Sequence, residues 1–258
     1  VAGLWNRLVG SREYIRVNIN TQTFNFIPHY RSITPDHEPS VWFALENIMK
    51  EADCFLDVGA NIGIYTLLAT KTMKSTGAII SFEPNPAAFK VLQKHTSYNP
   101  GSIVPSIKNA ALYDGTVDKI TIQADTNHIA DPECQITFAD NAGDLIPCLS
   151  LDSLSLSSDR ILIKIDVEGA ETGVLRGARK LLTSKKEIAI VLAVHPQQLK
   201  NFGETMQSLQ AEIKKNNLLT MDMSGKPVDE LSGKLDEYIC TNSREWFASL
   251  TKLMAGNL

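Results

Sequence analysis

Cys54-Phe55-Leu56-Asp57-Val58-Gly59-Ala60-Asn61-Ile62-Gly63 is the stretch whose reading decides the fold. Its first half is a short apolar run that ends at an acid and a glycine, and a helical pattern over Tyr65 to Lys71 follows at once. A buried strand running through a glycine turn into a helix is the repeating unit of a parallel α/β sheet. The pattern recurs. Ala78 to Phe82 is a second apolar run, closed by Glu83-Pro84 and followed by a helix from Pro86 to about Tyr98, and a weaker strand lies near Ile103 to Ile107. Arg160 to Ile165 ends at Asp166 and leads to a helical pattern over Val174 to Leu182. Ile188 to Val194 ends at His195-Pro196, a helix is expected over Leu199 to Lys214, and Leu218 to Met223 and Tyr238 to Cys240 read as a final pair of strands. The expected fold class is α/β: a doubly wound, Rossmann-like sheet, mostly parallel, with antiparallel additions at the C-terminal end.

Ahead of this unit, residues 13–30 alternate polar and apolar, with Tyr14, Arg16, Asn18 and Asn20 against Ile15, Val17 and Ile19. Thr23 to Ile27 resumes the alternation after Asn20-Thr21-Gln22, so a β-hairpin is expected. Pro39-Ser40 opens a helix in which Val41, Ala44, Leu45 and Ile48 recur at helical spacing. We therefore expect residues 1–52 to form an N-terminal lid or edge and 53–258 the main domain. Lys119 to Gln123 looks like an added strand, and residues 124–147 form a loop excursion. Neither a repeat nor a linker divides the chain.

The 258 residues are 43% hydrophobic and 21% charged, enough to build one substantial core. With a net charge of −4 and no Lys/Arg block, nucleic acid is not expected as a partner. Cys54, Cys134, Cys148 and Cys240 form no C-x-x-C pair, which suits reduced thiols and a cytoplasmic location. No apolar run approaches the ~20 residues that span a bilayer. The chain opens Val1-Ala2-Gly3-Leu4-Trp5 without an initiator Met, as a segment of a longer protein would. Oligomeric state is not legible.

In such sheets the ligand lies across the carboxyl ends of the strands, where strand order reverses. After the first strand, Gly59 and Gly63 permit a tight turn and close approach of backbone to a ligand, and the helix start beyond offers N–H groups to an anion. The same residues also serve a plain strand-to-helix corner. The turn lacks G-x-G-x-x-G and the G-K-[ST] of a P-loop. Glu83 ends the second strand, where a carboxylate can accept both hydroxyls of a ribose. Asp57 and Glu83 on consecutive strand ends point to an adenosine-type cofactor. Lys164-Ile165-Asp166-Val167-Glu168-Gly169-Ala170-Glu171 gathers a lysine and acids where the reactive group should lie, although Glu171 also suits a first helical turn. Asp166 and Glu168 could bind a hard cation, but no third acid matches them, and no metal is assigned. His195 lies on the same rim and is a candidate base or hydroxyl ligand.

Phe55 to Gly63, Phe82-Glu83-Pro84-Asn85, Asn109-Ala110-Ala111-Leu112, the Lys164 to Glu171 run and Val174-Leu175-Arg176-Gly177-Ala178 occur in an order that resembles the FkbM-type methyltransferases. The resemblance spans about Asp53 to His195. It implies an S-adenosylmethionine-dependent O-methyltransferase on the Rossmann-like methyltransferase sheet, acting on hydroxyls of sugars, glycolipids, polysaccharides or natural products. On this chain it implies cofactor contacts from Asp57, Gly59, Ala60, Asn61, Gly63, Glu83 and Asn85, with Ala110 and Ala111 near the adenine and Asp166 facing the methyl. Many members carry a glutamate where this chain has Ala193, which leaves His195 as the polar group on that rim. The base is expected to be Asp166 or His195, with Lys164 or Glu168 orienting the acceptor. Two other readings stand beside it. An NAD(P)-dependent oxidoreductase would need a G-x-G-x-x-G and a Tyr-x-x-x-Lys pair that are missing, and a non-catalytic module of the same fold would not need the intact acids. Acceptor specificity is expected from residues 13–30, from 124–147 and from the C-terminal region, with Tyr14, Phe24, Phe26 and Tyr30 available either to stack on a sugar or to fill the core.

Overall fold

The computed structural model describes residues 13–123, 135–137, 144–184, 186–234 and 236–256. β1 (Ile15–Ile19) and β2 (Gln22–Phe26) pair antiparallel, Ile15 opposite Phe26 and Ile19 opposite Gln22. Asn20 takes a φ of 46° at the tip, as tight hairpin turns require. α1 (Pro39–Met49) buries Val41, Trp42, Ala44, Leu45, Ile48 and Met49. Phe24, Phe26 and Trp42 share one apolar cluster with Phe55, Leu67 and Leu68 of the main domain. Each such aromatic contributes on the order of 1.5–3 kcal/mol.

β3 (Cys54–Val58) is buried along its length, as befits a strand covered on both faces. α2 (Ile64–Thr72), β4 (Ala78–Phe82), α3 (Pro86–Tyr98) and β5 (Ser106–Lys108) follow. β5 starts later than the expected Ile103 because Pro105 has no N–H for the ladder. β6 (Ala111–Leu112), β7 (Lys119–Gln123), β8 (Gln135–Thr137) and β9 (Asp144–Leu149) make a small second sheet. β8 and the start of β9 occupy part of the expected excursion, and the rest of it lies outside the described residues.

After β10 (Arg160–Ile165) the single helix expected over Val174 to Leu182 is two, α4 (Glu171–Arg176) and α5 (Arg179–Leu182). They part where Gly177 packs so closely on Tyr113 that an added Cβ would lie 2.0 Å from its carbonyl oxygen. β11 (Glu187–Val194) follows. The helix expected over Leu199 to Lys214 is a 3-10 turn at Leu199–Phe202, a left-handed Gly203 and then α6 (Met206–Lys215), which Thr205 and Ser208 start with a capping box. β12 (Leu219–Asp222), β13 (Asp236–Thr241) and α7 (Arg244–Ala255) complete the order, the last helix without a counterpart in the sequence reading.

The main sheet runs β12-β13-β11-β10-β3-β4-β5. Every pair from β11 to β5 is parallel, and β13 runs antiparallel to both β11 and β12. The chain moves outward from β3 to β5 and then returns to β10 on the other side, so the order reverses between β3 and β10. That switch point opens a crevice at the carboxyl ends of those two strands.

His95 on α3 is fully buried and ties two regions together. Its Nδ1 faces the Ile62 carbonyl oxygen at 2.8 Å and its Nε2 the Ile27 N–H at 3.2 Å, so the glycine turn and the hairpin share one imidazole. Burial pushes its pKa down to about 4, with the Ile62 carbonyl opposing. A base whose folded pKa is depressed below the usual 6.5 contributes stability that is fully present above 6.5 and lost as pH falls toward 4. Denaturant titrations should show the stability gap between the native chain and His95→Gln closing by about 3 kcal/mol across that window. A gap independent of pH would mean the imidazole is not held neutral.

Candidate active site

The turn after β3 and the turn after β10 interlock. The Asp166 N–H donates to the Val58 carbonyl at 3.0 Å. Gly59 has a φ of 82°, and a Cβ there would lie 1.9 Å from the Asp166 carbonyl oxygen. Glycine is therefore dictated both by conformation and by contact. The N–H groups of Gly59 and Ala60 donate to the Phe82 carbonyl, and that of Asn61 to the Glu83 carboxylate at 2.6 Å. The N–H groups of Gly59, Ala60, Asn61 and Gly63 are thus engaged within the protein. The anion-facing donors expected from the helix start are those at the beginning of α2, which has no side-chain cap.

A cavity of about 470 Å³ opens over this switch point, within the range of small-molecule clefts. Of the residues named from the sequence, Gly59, Ala60, Asn61, Lys164, Asp166, Glu168 and His195 line it. Asp57, Gly63, Glu83, Asn85, Ala110 and Ala111 are not among its lining. Asp57 is 1% exposed, accepts a 2.6 Å hydrogen bond from Thr66 and has its pKa raised, mainly by burial. Glu83 sits one step behind the turn, its other oxygen accepting from the Asn85 N–H at 2.7 Å, and burial pushes it up to about 7. Asn85 caps α3 through the Ala87 and Ala88 N–H groups. Ala110 and Ala111 are buried behind Asn109, which donates to the Glu83 and Pro84 carbonyls.

The reactive rim is a connected set of charges. Lys164 is 4% exposed, and its Nζ lies 2.6 Å from Asp166 Oδ2 and 4.8 Å from the centre of the Tyr65 ring. Burial opposes the ammonium charge, but Asp166 and Asp57 outweigh it and raise the Lys164 pKa. Burial likewise opposes the Asp166 charge, and Lys164 reverses the balance and holds it below the usual carboxylate range. His195 Nδ1 lies 2.7 Å from Glu171 Oε1, which also accepts from the Gly169 N–H at 3.0 Å. Burial disfavours the imidazolium, yet Glu171, Asp166 and Glu168 together raise the His195 pKa. Glu168 and Gly169 both take positive φ, 51° and 106°, which folds the turn after β10 back over the crevice.

Of the far wall, the sequence reading offers only Tyr30, as one of four aromatics that could meet a sugar. Tyr30, His37, Glu38 and Tyr65 line the cavity, with Glu237 from β13. Tyr65 donates its hydroxyl to Glu38, and Tyr30 is 5% exposed with no hydrogen-bond partner for its buried hydroxyl. Of the four aromatics considered for an acceptor, Tyr30 alone lines the cavity. Phe24 and Phe26 are core residues, and Tyr14 lies on the surface against Tyr98. Tyr30 precedes the main domain by many residues, and no local pattern distinguishes it.

Among known proteins, the family model described as the methyltransferase FkbM domain matches residues 57–218, well over half of the chain. A hexuronic acid methyltransferase, AglP, of Haloferax volcanii is 28% identical over 137 residues, 52% of this chain and 54% of that protein. The chain thus spans about half the length of the curated relative it matches. A precorrin-6y C5,15-methyltransferase of Geobacter metallireducens is 14% identical over 84% of this chain and 93% of its own, with a TM-score of 0.46. A SAM-dependent O-methyltransferase of Thermotoga maritima is 11% identical over 92% of this chain and 80% of its own, also at 0.46. No helix among the described residues is long and apolar enough to cross a membrane.

Proposed function

We propose, from the premise that the chain belongs to the FkbM methyltransferase family and uses S-adenosylmethionine, that it methylates a hydroxyl of a sugar-containing acceptor. The observation that carries this reading is the Lys164–Asp166–His195 rim set directly over the glycine turn of the switch-point cavity. A small-molecule or glycan acceptor is also supported by the relative that is named for hexuronic acid.

The residues fit the cofactor. Gly59 removes the side chain that would close the turn. Glu83 has spent one lone pair of each oxygen on backbone N–H groups; it lies just behind the cavity lining, and its remaining lone pairs are the ones a ribose diol would use. The uncapped start of α2 suits a carboxylate. When bound, S-adenosylmethionine supplies a methyl group on a sulfonium. The protein then has to align the acceptor oxygen with that carbon, exclude water and take up the hydroxyl proton. Alignment alone is worth much of the rate. We assign proton uptake to Asp166 or His195, and orientation of the acceptor to Lys164 or Glu168. Tyr30, with its unpartnered hydroxyl, is suited to contact the acceptor from the opposite wall.

We read residues 1–52 as the extension that walls the acceptor side and 53–258 as the cofactor domain. The buried free thiols of Cys54, Cys148 and Cys240 favour a cytoplasmic location.

Calorimetric titration with S-adenosylmethionine and S-adenosylhomocysteine tests the core of the proposal. Both should bind the native chain. Glu83→Ala should weaken binding by about 1.5–3 kcal/mol, roughly ten- to a hundredfold, as loss of a charged hydrogen-bond acceptor does. Glu83→Gln, which keeps one acceptor, should fall between. Unchanged affinity in the alanine variant would remove Glu83 from the cofactor site, and no binding to the folded native chain would overturn the reading. Addition of a methyl mass to sugar acceptors is the complementary assay.

A further inference from the structure

We propose that Asp166, Glu168 and His195 hold one divalent cation, and that this cation binds two neighbouring oxygens of the acceptor and draws the proton from the one to be methylated. The proposal deepens the reading of the cavity as the transfer site and rests on it; with the ion in place, Asp166 and His195 act on the hydroxyl proton through the cation rather than by taking it up themselves.

His195 carries the argument. Its side chain is nine-tenths buried, and its orientation is set from behind by Glu171, which is itself 0% exposed. With Nδ1 committed to Glu171, Nε2 is the atom that faces the cavity. It looks between two carboxylates, with Asp166 Oδ1 at 3.6 Å and Glu168 Oε2 at 3.5 Å. Both distances exceed a good N–H···O bond of about 2.9–3.0 Å, so the nitrogen closes a hydrogen bond with neither. They are instead close to the spacing of atoms that share a cation. Ligands about 2.0–2.2 Å from a common metal lie roughly 3–3.5 Å from one another. The nearest ligand atoms of all three residues lie within 4.8 Å of one another.

The arrangement behind the ligands matches this use. A carboxylate on the distal nitrogen fixes the tautomer and raises the basicity of a metal-bound imidazole, and Glu171 stands in that position. Its second oxygen, Oε2, is buried without a hydrogen-bond partner, so its charge is directed chiefly through His195. Glu168 reaches the cluster only because it and Gly169 adopt left-handed conformations. No two of the three ligands come from one regular element: Asp166 follows β10, Glu168 sits in the turn beyond and His195 follows β11.

Two carboxylates and one imidazole are a donor set for a borderline divalent ion such as Mn²⁺, with coordination positions left over. An acceptor that fills two of them has adjacent oxygens, so the class implied is a vicinal diol or a 2-hydroxy acid of a sugar rather than an isolated alcohol. A hydroxyl bound to the cation loses its proton more readily. The oxygen forms the bond to the methyl carbon as the carbon–sulfur bond breaks, its proton leaves to solvent, and the sulfur takes the bonding pair and loses its positive charge.

The test uses Mn²⁺ alone, added to chelator-stripped protein and followed by the electron paramagnetic resonance of the free ion. One Mn²⁺ per chain is expected. Glu168→Gln and His195→Ala should each weaken it tenfold or more, while circular dichroism shows both variants folded. Glu171→Gln should weaken it less and leave the stoichiometry unchanged. No binding to the native chain, or equal binding by the native chain and both ligand variants, overturns the proposal. Titration of the same samples with S-adenosylmethionine separates the two readings. Cofactor binding without Mn²⁺ removes the metal site only, and Mn²⁺ binding without cofactor removes the methyltransfer reading while the site stands.

Discussion

Gly59→Ala is expected to lower the melting temperature by roughly 5–15 °C and to abolish transfer. Two costs combine. A non-glycine residue at the φ of 82° found there is strained by about 1–2 kcal/mol. Its Cβ would also lie 1.9 Å from the Asp166 carbonyl oxygen, backbone on backbone, where no side chain can give way; overpacking of this kind costs about 1–3 kcal/mol. Relief requires the turns after β3 and β10 to part, which displaces Asp166 from the rim, and a misplacement of ~1 Å at a reacting centre can cost ~10²-fold. Two controls separate the costs. Gly203, also left-handed at 69° but with nothing within 4 Å, should show only the conformational part on replacement by alanine. Gly233, in open space and without a positive φ, should shift stability by no more than about 0.5 kcal/mol. Thermal denaturation of the three variants beside the native chain checks the ranking. Equal behaviour of Gly59→Ala and Gly203→Ala would mean that the two turns are not in contact.

The second large effect belongs to the rim. Asp166→Asn combined with His195→Gln should reduce turnover by roughly 10²–10⁴-fold. Both groups are part of the charged set over the switch point. Asp166 has a further duty, because it stands 2.6 Å from the buried Lys164 ammonium. Removing one partner of a buried ion pair costs about 3–5 kcal/mol. The lower end applies here, since the Asp166 side chain is 31% exposed and Asp57 also attracts Lys164. The single Asp166→Asn variant should therefore lose both stability and turnover, and His195→Gln mainly turnover. Single-turnover rates at saturating cofactor, read beside melting curves, distinguish these contributions. Full turnover in the double variant would place proton removal elsewhere.

The two halves of the site differ in how far the chain announces them. β3, β4, β10 and β11 are legible because each is a mostly apolar run that closes at or beside a polar residue, Asp57, Glu83, Asp166 or His195. The polar residue after each such strand is where a parallel sheet presents its ligands, so the rim could be named before any fold was known. Asp57 shows the limit of that logic. As the penultimate residue of a strand buried on both faces, it points into the protein and is satisfied by Thr66 rather than by a ligand. The opposite wall is illegible for a different reason. His37 and Glu38 join the cavity of Asp166 only through tertiary folding, their local sequence carries no periodicity that marks them, and Tyr30 is offered only as one aromatic among four. The same holds for the breaks at Gly177 and Gly203. Helical spacing continues through Gly177, and only the structure shows that the two helices part there, with the Tyr113 backbone packed against the glycine.

The imidazole of His95 has a consequence for the order in which ligands assemble. It joins the strand leading to Tyr30 to the turn that precedes α2, so the floor beneath one ligand and the wall beside the other share a rivet. A ligand that moved one side would act on the other through that imidazole. Free energies of this kind are reciprocal: whatever factor the donor adds to the affinity for the acceptor, the acceptor must add to the affinity for the donor. If the two sides move together, the ternary complex is favoured over either half-filled state, and donor affinity measured with and without an acceptor would differ by that factor.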